Sequence, residues 1–146
     1  MLPHAQALGV AGCVTEHASR IDYLDALAVQ TDASALLLMG SSEHHYTASK
    51  LYPALLARRP LLAVYHEKSS VATVLREAAR ERSARLVTYS DDVRAESHSG
   101  EIAAHLAAMI HAPEQEVSLD LSPAMERYSA KSLARELAGV FDAVVK

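Results

Sequence analysis

Apolar positions along the chain alternate between short continuous runs and longer stretches at helical spacing. Ala35-Leu36-Leu37-Leu38-Met39 is apolar throughout and stops at Gly40-Ser41-Ser42, the pattern of a strand buried on both faces followed by a turn. Leu61 to Tyr65 repeats it, Arg85 to Tyr89 is a further strand stopped by Ser90-Asp91-Asp92, and Val10 to Val14 is a weaker first strand. Between these runs the spacing changes to three and four. Tyr23, Leu24, Leu27 and Ala28 predict a helix from Asp22, as N-cap, to Thr31. Leu51, Tyr52, Leu55 and Leu56 predict another, capped by Thr47 or Ser49, with Pro53 in its first turn or so and Arg58-Arg59-Pro60 as its end. Val71, Val74, Leu75 and Ala78 mark a third helix, Val71 to Arg82, and Ile102 to Met109 a fourth. An acidic, irregular stretch over 113–128 reads as a loop or linker. Residues 129–146 form a closing amphipathic helix whose stripe (Leu133, Leu137, Val140, Phe141, Val144) suits a core or an interface.

Strands alternating with helices of this length imply right-handed crossovers and a mostly parallel sheet of about four strands, covered by helices on both faces. The expected fold is a three-layer αβα, Rossmann-like α/β arrangement. At 146 residues the chain fits one domain. Its 14 basic and 18 acidic residues leave a net charge of −4, with the cations scattered, so no nucleic-acid partner is expected. The single cysteine, Cys13, excludes an internal disulfide framework and reads as a small hydrophobe rather than a nucleophile. Met1-Leu2-Pro3-His4 lacks the basic and apolar regions of a signal peptide, and with the lone cysteine this places the expected location in the cytoplasm.

Ligands of open parallel sheets bind beyond the carboxyl ends of the strands. Three polar clusters fall there: Gly40 to Lys50, His66-Glu67-Lys68-Ser69-Ser70, and Ser90-Asp91-Asp92. Each precedes a helix, whose amino end favours an anion such as a diphosphate. Thr47, Ser49 and Lys50 combine hydroxyls with a cation, though the same residues also serve as an ordinary cap and a solvated lysine. The glycine spacing of a P-loop and the Gly-x-Ser-x-Gly elbow of a serine hydrolase are both absent. Glu43, His44, His45 and His66 are chemically competent zinc ligands, but adjacent histidines do not converge on one ion from a regular element, so no metal is expected.

The segment His45 to Val64, with Ser-Lys-Leu-Tyr, a short apolar helix, Arg59-Pro60 and a strand, resembles the C-terminal, nucleotide-sugar-binding domain of GT-B-type glycosyltransferases, in particular those of the family 4-like kind. Arg20 to Leu27, Thr31 to Leu38 and Tyr128 to Val145 are similar to that domain's preceding helix, its following strand and its closing helix. The resemblance implies transfer of a sugar from a nucleotide diphosphate sugar to an acceptor, without an essential metal or cofactor. It implies Thr47, Ser49 and Lys50 as diphosphate contacts, and Glu43 or His45 as the group beside the sugar ring. Gly40, Ser41, Tyr52 and Glu67, on the same edge, complete the candidate donor-binding set. Two departures accompany it. The ribose-holding glutamate of many relatives is replaced near Pro53, and the chain starts near the third strand of the family's domain, as a fragment lacking its N-terminal half. Such a fragment is expected to be inactive alone and to expose the edge beginning at Ala35 to Met39, through which it pairs as a homodimer or rearranges. A stand-alone α/β ligand-binding or regulatory module is the competing expectation, since fold does not fix function.

Overall fold

The computed structural model describes residues 1–41, 49–78, 84–111 and 126–145. Its sheet holds β1 (Leu36–Met39), β2 (Leu61–His66) and β3 (Ala84–Tyr89), all parallel and in the order β1-β2-β3. The register sets Leu36 opposite Leu61 and His66 opposite Tyr89. All six residues of β2 are buried, as expected for a central parallel strand read from a continuous apolar run.

The crossovers explain the layers. α3 (Leu51–Leu56) joins β1 to β2, and α4 (Ser70–Ala78) leads from β2 toward β3. Both steps move the same way across the sheet, so right-handed connections put both helices on one face. There Leu51, Ala54 and Leu55 of α3 and Val71, Val74 and Leu75 of α4 cluster with Leu61, Ala63 and Tyr65. The alternate residues of β2, Leu62 and Val64, join Val87 on the other face beneath Ile102, Leu106 and Met109 of α5 (Ser99–His111). The three-layer parallel α/β arrangement is therefore as anticipated.

Val10 to Val14 departs from expectation: it is not a strand. α1 (Leu2–Ala7) precedes it and Ala11–Cys13 is a 3₁₀ turn, so the sheet has three strands among the described residues. Gly9 takes φ +72°, its N–H donates to Gln6 O, and the Val10 N–H donates to Ala5 O. These bonds close α1 by a Schellman-type cap, and the Cys13 and Val14 N–H groups then bond to Val10 O and Ala11 O, leaving local turns where a ladder was expected. Glu16 accepts from the Leu2 N–H at 3.0 Å and from the terminal ammonium at 3.2 Å. The backbone bond, then the ammonium, hold its carboxyl below the ordinary carboxylate range.

The helix α2 (Tyr23–Asp32) starts at Asp22 as anticipated, but the Asp22 side chain makes no cap bond. α3 has Lys50, not Ser49, at its N-cap position, and Thr47 lies outside the described residues. The last helix, α6 (Ala130–Val144), is capped by Ser129, whose Oγ accepts from the Ser132 N–H. Just before it, Tyr128 packs at a tilt against Tyr52, with ring centroids 5.5 Å apart, and donates to Glu77, which also pairs with Arg127 at 3.2 Å. Residues 126–128 are thus docked on the α3–α4 layer, while 113–125 of the expected loop lie outside the described residues. The stripe of α6 is not core within this chain: Leu133, Leu137, Val140, Phe141 and Val144 are each more than half exposed.

Candidate functional site

At the carboxyl edge of the sheet, the strand ends are tied to one another. The Gly40 N–H donates to Val64 O at 2.9 Å, extending the β1–β2 ladder one residue past Met39. A Cβ on Gly40 would stand 2.5 Å from Tyr65 Cδ1, so the tight approach of the turn to the Tyr65 ring requires glycine. The next residue, Ser41, accepts at its carbonyl from Tyr89 Oη at 2.7 Å, which links the end of β1 to β3 across β2. Burial pushes the Tyr89 phenol up, and a backbone bond from His66 partly opposes this.

β2 ends on His66, which is 2% exposed. Its Nδ1 accepts from the Lys68 N–H at 3.2 Å, its Nε2 lies 3.5 Å from Asp91 Oδ1, and the edge of one ring meets the face of the other in its contact with Tyr89. Lys68 Nζ reaches the other Asp91 oxygen at 3.5 Å. His66 therefore ties the turn after β2 to the turn after β3. The Glu67 N–H donates to Tyr89 O, and Glu67 O accepts from Arg76 Nη1 of α4. Ser69, also buried, caps α4 by accepting from the Ala72 N–H.

Of the expected site residues, Gly40, Ser41 and Glu67 come together on this edge. Ser49, Lys50 and Tyr52 instead line a groove between α2 and α3, alongside Tyr23, Leu27 and Pro53. Arg59 Nε donates to Thr31 O at 2.7 Å, pinning the end of α2 to the exit of α3. Burial, and to a lesser degree the nearby Tyr128, push the Tyr52 phenol up against the opposing pull of Arg127. Tyr52 packs on the core, as its helical position implied. Glu43, His45 and Thr47, with His44, lie outside the described residues. Among the described residues no cluster of three or more His, Cys, Asp or Glu side chains converges as a metal site.

Sequence reasoning missed how His66 and Tyr89 act. Both were visible at strand ends, but their roles depend on cross-strand register. It also missed the contribution of Arg20, Asp22 and Gln30 to the groove wall, which follows only from the packing of α2 beside α3. Among the described residues no helix is long and apolar enough to cross a membrane. Set beside known proteins, the chain matches no family model, no curated protein and no solved structure.

Proposed function

We propose that the chain is the donor-binding half of a nucleotide-sugar-dependent glycosyltransferase. In this reading the nucleoside diphosphate sugar lies along the carboxyl edge of the sheet and no metal is required. The supporting observation is the joining of the Gly40-Ser41, His66-Glu67-Lys68 and Asp91 turns at that edge by the Tyr89 and His66 contacts, which holds the turns where open parallel sheets take ligands. The diphosphate reaches from that edge toward the groove between α2 and α3, where Lys50 and Ser49 contact it, with Thr47 as a further hydroxyl, and the lysine stabilises the charge that grows on the departing phosphate as the sugar–phosphate bond breaks. Glu43 or His45 lies by the sugar ring. The residues described here supply the donor side of the reaction, and the acceptor is held by a separate acceptor-binding half.

Calorimetry with uridine and guanosine diphosphates tests this. One of the two binds, and Lys50→Ala weakens it by about tenfold or more, the worth of a charged hydrogen bond. Binding of neither, with or without an acceptor-binding half supplied in trans, refutes the reading.

A further inference from the structure

α6 stands off the body of the chain. Its root is held where Tyr128 meets Tyr52 and Arg127 meets Glu77, but from Leu133 to Val145 every residue is exposed. Its apolar side chains nevertheless fall in one stripe, Leu133, Leu137, Val140, Phe141 and Val144, the spacing of a helix face that packs against something. A lone helix of 15 residues is marginal in water and takes most of its stability from packing of that face.

The sheet offers a matching surface. Register sets Leu37 beside Leu62 and Met39 beside Val64, so each pair shares a face. α5 lies over Leu62, Val64 and Val87 on that face, while Leu37 and Met39 are exposed at its border. Parallel sheets carry helices on both faces, and packed helices lie about 8–10 Å apart. With strands about 4.8 Å apart, a helix laid beside α5 has its axis close to β1.

We propose that two copies of the chain exchange α6, the arm of each lying over Leu37 and Met39 of the other, beside its α5, about a two-fold axis. The exchange covers both apolar surfaces at once. Edge-to-edge pairing of β1 leaves the α6 stripe exposed, and pairing of two α6 stripes leaves Leu37 and Met39 exposed. Area favours the reciprocal arrangement. The five α6 side chains and the two of β1, each about half exposed or more, amount to roughly 700 Å² per contact, short of the about 1,200 Å² at which stable interfaces begin. Two such contacts bury roughly 1,400 Å², within that range, and a two-fold supplies the second without any new surface. α6 carries two cations, Lys131 and Arg135, against two carboxylates, Glu136 and Asp142, so it has no net charge to favour an anionic membrane over an apolar protein face. In dilute solution, below the dissociation constant, the arm is exposed as in the single chain. The exchange does not rest on the transferase reading.

Sedimentation velocity of the full chain over about 1–500 μM is the first measurement, and it shows a monomer–dimer equilibrium with a Kd of about 1–100 μM. Leu137→Lys in α6 and Met39→Lys in β1 each weaken the dimer by about tenfold or more. Both side chains are exposed in the single chain, so the circular dichroism of the dilute variants stays that of the parent. The second measurement is cross-linking in a Cys13→Ser background, because Cys13 is exposed and is the single cysteine. A Met39→Cys copy is mixed with a Leu137→Cys copy and treated with a short bismaleimide. Products joined between positions 39 and 137 exceed those joined 39 to 39 or 137 to 137. Predominance of 39-to-39 products, or association that Leu137→Lys leaves unchanged, assigns the contact to β1 edges alone and overturns the exchange. Predominance of 137-to-137 products, a series of species larger than dimers, or a chain monomeric at every concentration overturns it too. None of these outcomes bears on nucleoside diphosphate binding, so the transferase reading stands or falls separately.

Discussion

Replacing Gly40 by alanine tests whether the edge of the sheet is built as described. The added methyl would sit 2.5 Å from Tyr65 Cδ1, 2.9 Å from Cε1 and 3.0 Å from Cγ. Ordinary carbon contacts need about 3.5–4.0 Å, so the ring or the turn must retreat by roughly an ångström. The ring has little room, because Tyr65 is 3% exposed and belongs to the cluster shared by α3, β2 and α4. The turn is held as well, through the Gly40 N–H bond to Val64 O and the Tyr89 bond to Ser41. Overpacking of this kind costs about 1–3 kcal/mol. Loss of glycine's freedom in the unfolded chain offsets about 0.4–1 kcal/mol of that, for a net destabilisation of about 1–2 kcal/mol. In a domain of this size that lowers Tm by roughly 3–8 °C. The assay is thermal unfolding followed by circular dichroism, with Tyr65→Leu and the double variant completing a cycle. Removing the ring relieves the clash, so the double variant loses less than the two single losses together, with a coupling of about 1 kcal/mol or more. A Gly40→Ala Tm within about one degree of the parent, or additive losses, would show that the ring does not pack over the turn.

The other expectations follow from separate parts of the fold. Ser129→Ala removes the side-chain acceptor for the Ser132 N–H and costs α6 about 1 kcal/mol, so amide exchange at Ser132 and Leu133 accelerates. The global unfolding midpoint stays put because the α6 stripe is exposed; an equal loss of global stability would put α6 in the cooperative core instead. Tyr52 and Tyr89 both have phenols raised above the usual 10.0 chiefly by burial. Their contribution to stability is complete below the unfolded value and is lost as pH rises through the folded value, so the urea midpoint falls above pH 10 more steeply than in a Tyr52→Phe, Tyr89→Phe double variant. Equal slopes would contradict the burial of the two phenols. Leu37 and Met39 of β1 are 46% and 66% exposed on an open edge, so we expect concentration-dependent self-association in sedimentation that Met39→Lys abolishes. A parent chain that sediments as a monomer at every concentration rejects pairing through that edge.

The sequence made β2 legible because every residue from Leu61 to His66 meets a neighbour that sequence pattern can anticipate, one face toward each helix layer. Val10 to Val14 has a similar apolar composition but lies beside Gly9, whose positive φ closes α1 and sends the following backbone groups into local turns. A strand is defined by its partner as much as by its residues, and here the partner never arrives. The same distinction separates the legible from the illegible parts of the candidate site. Gly40 reads as a turn residue, yet what demands glycine is Tyr65, from the adjacent strand. Gln30 belongs to the groove wall only because α2 lies beside Ser49, Lys50 and Pro53. The α6 stripe was legible as an apolar face. Yet periodicity reports only that a face is apolar, while cover depends on which other element reaches it. Tyr128 anchors the root of α6 to the α3–α4 layer, whereas Leu37 and Met39 alternate with Leu36 and Leu38, which pack toward that layer, and so open on the opposite side of the sheet. Leu37 and Met39 remain exposed beside an equally exposed α6 stripe, so α6 does not cover that face of β1 and the two apolar surfaces are separate sites for burial.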